Sequence, residues 1–386
     1  MKVGIVGAGQ LARMMLEAAS ALGISCVVLA ESPGDAAVAT GAEIIFGSPS
    51  DPEAMHALAE RCDVITFDHE LVDLSLLGAL EDTGTVIRPS SRSLLLAVDK
   101  AAMRKALHDA GLPTPAFEIL DPGDEGDARN FGATNGWPLV IKAARGGYDG
   151  RGVFLAKDLD EATQIIASLH DQGISALLEE QVAIETELAA LVARTPSGEH
   201  VSWRVVETAQ VDGVCREVRV PGAIPDEVVA GAAQIASTIA ELADVTGVMA
   251  VELFVTEGRL VINELAMRPH NSGHWTQDGS VTSQFENHLR AVLDLPLGDT
   301  AVTSPHVASV NVFGGPEKID PNDALRNALG THGAHIHLYG KEHRPGRKLG
   351  HVNVVGHNGD EVRSAAWRAA TALGTPVLEG HEEATR

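Results

Sequence analysis

The stretch Asn263–Trp275, NELAMRPHNSGHW, is the most informative part of this chain for its fold, because it joins a strand end to a dense set of polar side chains. The apolar run Leu260–Ile262 predicts a strand, and an amide and a carboxylate, Asn263 and Glu264, end it. Magnesium prefers hard oxygen ligands and usually shares them with substrate phosphates. The pattern therefore indicates a metal carboxylate at the end of a strand.

Anion-binding donors follow this carboxylate directly. A guanidinium fork combined with amide or imidazole donors suits a small anion. Each residue alone is better explained by a strand that runs into a polar loop, but the complete string is not. We therefore predict an anion site beside the metal carboxylate. The candidate donors are Arg268, His270, Asn271 and His274.

The chain before this stretch predicts a β-hairpin with the three-residue turn Glu257–Arg259. In that register Glu252 lies opposite Glu264, with Phe254 opposite Ile262 on the same face. Side chains paired in this way have Cβ atoms about 4.5–5.5 Å apart. Two carboxylates this close repel each other unless a cation bridges them. The hairpin therefore predicts one or two Mg²⁺ ions held by the two glutamates, whereas a one-residue shift of register would separate them.

Residues 2–98 alternate short apolar strands with helices, which predicts a doubly wound parallel sheet. The turn Gly7–Ala12 (GAGQLA) fits the G-x-G-x-x-A pattern of dinucleotide-binding proteins, with Glu31 ending the second strand. The same helix N-terminus could hold a different phosphate, or it could be only a tight strand-to-helix turn. The predicted strands are Lys2–Val6, Ser25–Ala30 and Val64–Phe67, and the predicted helices are Leu11–Leu22 and Asp51–Glu60.

A second glycine-rich loop, Arg145–Gly152 (RGGYDGRG), lacks the G-K-[ST] ending of a Walker loop. Its glycines would allow close approach to a phosphate and closure of a lid. Upstream, Lys142 lies in the otherwise apolar strand Trp137–Ala143. A buried lysine there needs an anion such as a nucleotide phosphate. The alternative is a lysine that extends to solvent at the strand end.

Acidic residues near the next strand end predict a nucleotide contact. Backbone groups of Glu179–Val182 (EEQV) could bind an adenine edge, and Glu187 in the following strand could contact ribose hydroxyls. For each residue alone, a solvated carboxylate is the simpler interpretation. The helix Asp99–Ala110 precedes this region, stops at a glycine and carries Lys100, which is ambiguous by itself.

Composition excludes several classes of partner. The net charge is −24, from 29 Lys and Arg against 53 Asp and Glu, which argues against nucleic-acid and anionic-membrane partners. The three cysteines are far apart and show no CxxC spacing, as expected in a reducing compartment. We find no signal-peptide pattern and no apolar run of about 18 residues. These features predict a cytoplasmic protein.

A basic run, Lys341–His351 (KEHRPGRKLGH), stands out in this acidic chain. It suits a phosphate-bearing substrate, and a solvated loop is the equally simple alternative. Three nearby histidines have the spacing of strand residues, and we interpret them as structural or solvent-facing rather than as zinc ligands. They are His332, His335 and His337.

Taken together, these motifs resemble the ATP-grasp ligases, and most closely the 5-(carboxyamino)imidazole ribonucleotide synthases of purine biosynthesis. The resemblance covers nearly the whole chain. It implies an α/β fold with a Rossmann-like domain at 1–98, an ATP-grasp α+β domain at 99–300 with a lid subdomain at about 115–183, and a small β-rich domain at 301–386. The motifs that carry it are Gly7–Met14, Gly147–Gly152, Glu179–Val182, Asn263–Trp275 and Lys341–Val352.

The resemblance implies ATP-dependent carboxylation of 5-aminoimidazole ribonucleotide by bicarbonate through carboxyphosphate, with Mg²⁺, or alternatively Mn²⁺, as the metal. The implied metal ligands are Glu252 and Glu264. The implied ATP-binding residues are Lys100, Lys142, Gly147, Gly150, Glu179, Glu180, Val182, Glu187, Asn263 and Glu264. The implied catalytic residues are Arg268, His270, Asn271, Tyr148, Asp149 and Arg151, and those for the ribotide are Gln10, Glu70, Lys341, Arg347 and Lys348.

The chain departs from the family pattern near the expected imidazole site. The usual T-x-E-x-E-N-V string reads Thr66–Val72 (TFDHELV) here, in which Glu70 matches. These departures concern recognition of the imidazole more than the reaction. The differing positions are Asp68, Leu71, Arg151, Val153 and Met267.

The resemblance also implies small-molecule substrates, a homodimer, and a product that passes to a separate mutase. Three alternatives remain from the residues. An NAD-dependent oxidoreductase would use Gly7–Ala12 and Glu31, a formate-using or glycine-using purine ligase would keep the fold, and a ribotide-binding regulator would have lost turnover.

Overall fold

The N-terminal region is a parallel sheet covered on both faces. The computed structural model describes residues 1–124, 128–147, 151–211 and 213–376. Strand order is β3-β2-β1-β4. Val3 and Ile5 pack in one core with Met14 of the first helix, and Val6 packs in another. The elements are β1 (Lys2–Val6), α1 (Gln10–Leu22), β2 (Ser25–Ala30), β3 (Glu43–Phe46), α2 (Pro52–Ala59), β4 (Val64–Phe67), α3 (Leu74–Asp82) and α4 (Ser91–Val98).

A small antiparallel sheet follows, in the order β5-β8-β6-β7. One face is packed by two helices, and the core between them includes Phe131, Ile141 and Ile166. This is the region predicted as the lid subdomain. Helix α5 (Lys100–Asp109) precedes it and packs in the core that contains Val6. The elements of the small sheet and its two helices are β5 (Phe117–Leu120), α6 (Ala128–Asn135), β6 (Leu139–Ala143), β7 (Val153–Ala156), α7 (Leu159–His170) and β8 (Ala176–Glu180).

The largest sheet has nine strands within the described ranges, and it includes both the central region and the C-terminal segment. The strands of this sheet and the helices between them begin with β9 (Thr186–Arg194), β10 (His200–Ser202), β11 (Val206–Val211), β12 (Val214–Val220), α8 (Asp226–Leu242), β13 (Gly247–Thr256) and β14 (Arg259–Ala266). They continue with α9 (Thr276–Gly279), α10 (Gln284–Val292), β15 (His306–Phe313), α11 (Pro321–Leu329), β16 (Ala334–Leu338), β17 (Lys348–Gly356) and α12 (Gly359–Ala372).

The C-terminal strands extend this sheet rather than form one of their own. Strand β12 pairs antiparallel with β15, so that Val218 lies opposite Ser309. Trp367 of α12 is completely buried against β15 and β17. The pairing of β12 with β15 joins residues on both sides of position 300 in one sheet. The structure therefore does not separate two domains at this position, and the limits 99–300 and 301–386 stay predictions.

The hairpin of β13 and β14 corrects the predicted register. The turn has two residues, Glu257 and Gly258, with φ of 49° and 70°, as a type I′ turn requires. The predicted three-residue turn is therefore wrong, and Phe254 lies opposite Val261 instead of Ile262. A register shift next to Glu252 leaves one extra residue in β14, so that Glu252 nevertheless lies opposite Glu264.

Candidate active site

One cleft of about 840 Å³ collects most of the predicted site residues from all three sheets. Lys341 does not line it but donates a hydrogen bond from Nζ to Gln10 Oε1, which does, at 2.6 Å. Arg151 and Arg347 are not among its lining residues. Tyr148, Asp149 and Gly150 lie outside the described residues. The predicted residues that line the cleft are Gln10, Glu70, Lys100, Lys142, Gly147, Glu179, Glu180, Val182, Glu187, Glu252, Asn263, Glu264, Arg268, His270, Asn271, His274 and Lys348.

The carboxylate pair lies on the bulged hairpin. Burial, together with the charges of Glu264 and Glu187, raises the pKa of Glu252 to about 7. Lys100 Nζ lies 2.5 Å from Glu264 Oε1. A divalent cation between the two glutamates would relieve their repulsion, so the donor set fits the predicted metal.

Magnesium needs few protein ligands when phosphates complete its coordination. Within the described ranges, no cluster of three or more histidine, cysteine, aspartate or glutamate side chains could form an all-protein metal cage. Two facing carboxylates at the edge of a large cleft are instead the arrangement expected for a metal that arrives with a nucleotide.

A buried ion network supports the phosphate side of the cleft. Lys142 is only 8% exposed, so the alternative of a lysine that extends to solvent is wrong. Its Nζ donates to Glu179 Oε2 at 2.7 Å and to Asn263 Oδ1 at 3.1 Å. Burial alone would raise the pKa of Glu179, but the charges of Lys142 and Arg104 outweigh it and hold that pKa below its usual range.

This network changes the interpretation of Glu179. Its carboxylate contacts the Lys142 ammonium and the Arg104 guanidinium and is 3% exposed. The side chain therefore positions the lysine instead of facing a ribose. Only the backbone of this residue is left for the predicted nucleotide contact.

Arg104, for which we predicted no functional role, holds the bulge of β14. Its guanidinium is fully buried and donates to the carbonyls of Ile262 at 2.8 Å and Asn263 at 3.0 Å. Those carbonyls flank the extra residue that brings Glu264 opposite Glu252. The helical spacing places Arg104 on the same face of α5 as Met103 and Leu107. That position could have indicated a structural role, since arginine is rarely buried without partners.

The anion-binding loop is anchored by Glu70. Its Oε2 lies 2.5 Å from Arg268 Nε, and its Oε1 accepts a hydrogen bond from Met267 N at 3.1 Å. Glu70 was predicted to contact the ribotide, and this arrangement also makes it the support of Arg268. Arg268 Nη1 also donates to the Pro269 carbonyl at 3.2 Å, so these contacts hold the guanidinium in place where it lines the cleft.

His270 is held as a neutral imidazole. Burial, reinforced by the charges of Arg268 and Lys348, lowers the pKa of His270 to about 3. Its Nε2 lies 3.5 Å from Glu252 Oε1, which is a contact of a neutral ring rather than an ion pair. Its Nδ1 lies 2.8 Å from Ser272 Oγ.

A carboxylate of this chain occupies the anion-binding position at the first glycine turn. Asp68 accepts hydrogen bonds from Gly9 N at 2.8 Å and from Ala12 N at 2.7 Å. A Cβ at Gly9 would collide with this carboxylate, which explains the glycine without a ligand. A dinucleotide phosphate at the start of α1 would have to displace Asp68, so the oxidoreductase alternative is not supported.

Three sequence-family profiles match the chain in succession. They are described as the ribonucleotide synthetase preATP-grasp domain over residues 1–98, the ATP-grasp domain over 105–285, and the phosphoribosylaminoimidazole carboxylase C-terminal domain over 308–365. The chain is 44% identical over 373 residues to the N5-carboxyaminoimidazole ribonucleotide synthase of Mycobacterium tuberculosis, covering 95% of this chain and 86% of the relative.

The chain belongs to the N5-carboxyaminoimidazole ribonucleotide synthase family.

Further synthases of this family are similar over nearly their whole length. The relative from Synechococcus elongatus is 42% identical, covering 91% of this chain and 89% of its own. The Thermus thermophilus synthetase structure matches with a TM-score of 0.87 at 32% identity, covering 97% of this chain and 99% of that one. The Aspergillus clavatus synthase in complex with ADP and 5-aminoimidazole ribonucleotide matches with a TM-score of 0.85 at 31% identity, covering 96% and 98%.

The predicted fold of this synthase-family chain is therefore confirmed as an ATP-grasp ligase fold with an N-terminal preATP-grasp domain and a C-terminal domain. In the described part of the chain, no helix combines the length and apolar character needed to cross a membrane.

Proposed function

We propose that this chain carboxylates 5-aminoimidazole ribonucleotide with bicarbonate and ATP, giving N5-carboxyaminoimidazole ribonucleotide, ADP and phosphate in purine biosynthesis. One observation carries the proposal: a single cleft holds the carboxylate pair, the buried lysines and the Arg268–Asn271 loop. Metal-bound phosphates and a small anion would therefore meet in one place. Membership of the synthase family supports the same reaction.

The ATP end of the cleft lies between the small antiparallel sheet and the large sheet. Val182, Glu180 and Glu187 line it and are the candidates for adenine and ribose. Lys100 and Lys142 supply positive charge for the phosphates, with Gly147 beside them. Since phosphoryl transfer is catalysed mainly by positioning and charge stabilisation, buried lysines held by carboxylates suit this role.

Glu252 and Glu264 would hold Mg²⁺, or Mn²⁺ in its place. When bound, the ion would neutralise charge on the phosphates of ATP. The pair would hold one or two such ions. Lys100 Nζ lies 2.5 Å from Glu264 Oε1. This lysine would therefore contact both the metal carboxylate and the nucleotide phosphates.

The anion loop would bind bicarbonate and activate it. A bicarbonate oxygen attacks the γ-phosphorus of ATP, the bond to the β-phosphate oxygen breaks, and carboxyphosphate and ADP form. Arg268, His270 and Asn271 would hold the anion, and neutral His270 can do so without adding a second charge. Carboxyphosphate then gives CO₂ and phosphate, and the exocyclic amine of the ribotide attacks CO₂ and loses a proton.

The ribotide would enter from the side of the N-terminal sheet. Gln10 and Lys341 form a 2.6 Å contact between the N-terminal and C-terminal regions, and Lys348 lines the cleft close by. These cationic groups suit the ribotide phosphate. The predicted roles of Tyr148, Asp149 and Arg151 as part of a lid, and of Arg347 at the phosphate, remain part of this proposal.

A homodimer in the cytoplasm and transfer of the product to a separate mutase complete the proposal. The assay that tests it is ADP release with ATP and Mg²⁺, with bicarbonate and ribotide each present or absent. We expect strong ribotide-stimulated release that requires bicarbonate. Release driven by formate or glycine instead would keep the fold and replace the substrate, and no turnover together with NAD binding would reject the proposal.

A further inference from the structure

A buried glutamine outside the anion-loop motif controls how that loop is held. Gln284, the first residue of α10, is completely buried. Its Oε1 accepts a hydrogen bond from His270 N at 2.8 Å, and its Nε2 donates to His270 O at 2.7 Å. One amide therefore binds both backbone groups of an anion-site residue.

These two bonds also fix which way the amide faces. A backbone N–H can only donate, so the atom that faces His270 N must be the amide oxygen. The amide nitrogen then has two hydrogens. One goes to His270 O, and the other faces His274 Nδ1, which lies 3.3 Å away.

This contact determines where the His274 proton is. Because Nδ1 accepts from the glutamine, the proton of the neutral ring must be on Nε2. Burial, with the nearby charge of Lys348, keeps the pKa of His274 well below its usual value, so the ring stays neutral. The ring is thus a defined hydrogen-bond donor at Nε2.

That donor has no protein partner among the described residues. His274 lines the cleft, and its Nε2 is buried without a hydrogen bond, as is Asn271 Oδ1. The neighbouring His351 ring packs at 4.7 Å between centroids with a tilt of 32°, and its Nδ1 is taken by Tyr339 OH at 2.8 Å. A buried N–H without a partner is unfavourable, and an oxygen of a bound ligand would satisfy it.

We propose that His274 donates its Nε2–H to an oxygen of the bicarbonate-derived group, and that Gln284 is the positioning residue that sets this tautomer. The inference rests on the proposed function for the identity of the anion. It adds a fourth donor to the loop. The tautomer assignment itself depends only on the hydrogen bonds of Gln284.

The test is Gln284→Glu, which is almost isosteric. The carboxylate still accepts from His270 N, but it cannot donate to His270 O and it accepts from His274 Nδ1. The proton should therefore move to Nδ1 and leave Nε2 as an acceptor. We expect ¹⁵N NMR of His274, identified by comparison with His274→Gln, to report Nε2–H in the parent protein and Nδ1–H in the variant.

Kinetics give the second readout. We expect kcat/KM for bicarbonate to fall about 100-fold in Gln284→Glu, the effect typical of losing one oxyanion donor, while KM for ATP changes less than about twofold. The control is Gln172→Glu, where an exposed amide that donates to Ser168 O at 2.7 Å undergoes the same chemical change. It should leave both constants unchanged.

An unchanged tautomer, or equal losses for ATP and bicarbonate, would overturn the inference. If Gln284→Glu does not fold, His274→Leu and His274→Gln replace it. The leucine variant should lose bicarbonate turnover and the glutamine variant, which keeps a donor, should recover part of it; equal loss in both overturns the role. A parent protein with Nε2–H but no bicarbonate-dependent turnover would reject the proposed function instead.

Discussion

Glu264 belongs to both the proposed metal site and the proposed nucleotide site, because it lies opposite Glu252 in the hairpin and contacts Lys100. We predict that Glu264→Gln raises the Mg²⁺ concentration needed for half-maximal ADP formation by at least about tenfold, since an amide is a poorer ligand for a hard cation. The affinity for the ribotide should change much less. The measurement is a magnesium titration of ADP release.

Glu257→Gln is the matched control for this prediction. Glu257 lies in the turn of the same hairpin, and its side chain is 78% exposed. The same change of carboxylate to amide there should leave the magnesium titration unmoved. If Glu264→Gln behaves like the control, the metal assignment fails.

Arg268 tests the anion site separately. We predict that Arg268→Lys loses most bicarbonate-dependent turnover but keeps nucleotide affinity, because a lysine cannot both pair with Glu70 and present a planar fork to an anion. The readouts are bicarbonate-dependent ADP release and ATP binding by calorimetry. Arg259→Lys, on the same strand with a side chain 74% exposed, is the control, and a normal rate in Arg268→Lys contradicts the assignment.

At the scale of elements, the hairpin shows how a correct pair can be predicted from an incorrect register. The three-residue turn placed Glu252 opposite Glu264, and the structure reaches the same pairing through a two-residue turn and an extra residue in β14. The longer turn and the bulge each shift β14 by one residue relative to β13. Sequence pattern does not distinguish them, because the bulge depends on the buried Arg104, which binds the carbonyls on either side of it.

The turn itself provides a stability prediction. Glu257 has a left-handed φ of 49°, which costs about 1–2 kcal/mol for an ordinary L-residue and less for asparagine. We predict that Glu257→Asn raises the free energy of unfolding by about 0.5–1 kcal/mol. Loss of the ion pair with Arg259 should matter little, because both side chains are exposed.

Thermal unfolding of Glu257→Asn against Glu257→Ala measures this effect. Alanine also loses the ion pair but keeps the cost of the left-handed conformation, so it should not stabilise the protein. Equal midpoints for the two variants would show that turn strain is not the cause.

Elements with strong periodicity were predicted well, and those without it were not. Strands Lys2–Val6 and Ser25–Ala30 have the predicted limits, and the helix predicted over Leu11–Leu22 begins one residue earlier, at Gln10. Strand β3, EIIF, was missed because it is short and has no fully buried residue. The first glycine turn suggested a dinucleotide, and only the contact with Asp68 from a distant strand end shows why it does not need one.

At the scale of the whole molecule, the site depends on contacts that no local pattern reports. Gln10 meets Lys341, and Arg268 meets Glu70, across hundreds of positions in the sequence. The types of residue at the site could be predicted from motifs. Their supports, among them Arg104 and Gln284, could not, because burial and partner geometry exist only in the folded chain.

Buried neutral histidines make the fold sensitive to acid. Burial lowers the pKa of His288 to about 3 and those of His274 and His351 well below the usual value. Below about pH 6.5 the unfolded chain binds protons that the folded chain does not, so stability falls as pH falls toward 3. Each histidine contributes about 1.4 kcal/mol per pH unit in that window.

We therefore predict a urea midpoint that is clearly lower at pH 5.5 than at pH 7.5. Glu252, whose pKa is raised to about 7, and Glu187, whose pKa burial also raises, act in the opposite direction. They are two groups against four, because His270, with a pKa of about 3, adds to the three histidines above. A midpoint that stays constant or rises on acidification would contradict the assignment of these histidines as neutral.

The transfer of ¹⁸O from labelled bicarbonate to phosphate distinguishes the formation of carboxyphosphate from the hydrolysis of ATP by water. Attack of a bicarbonate oxygen on ATP leaves that oxygen on phosphorus when carboxyphosphate gives CO₂. We predict one bicarbonate-derived oxygen in each phosphate formed, with formation stimulated by the ribotide. Phosphate that forms with ADP but carries oxygen only from water would contradict it.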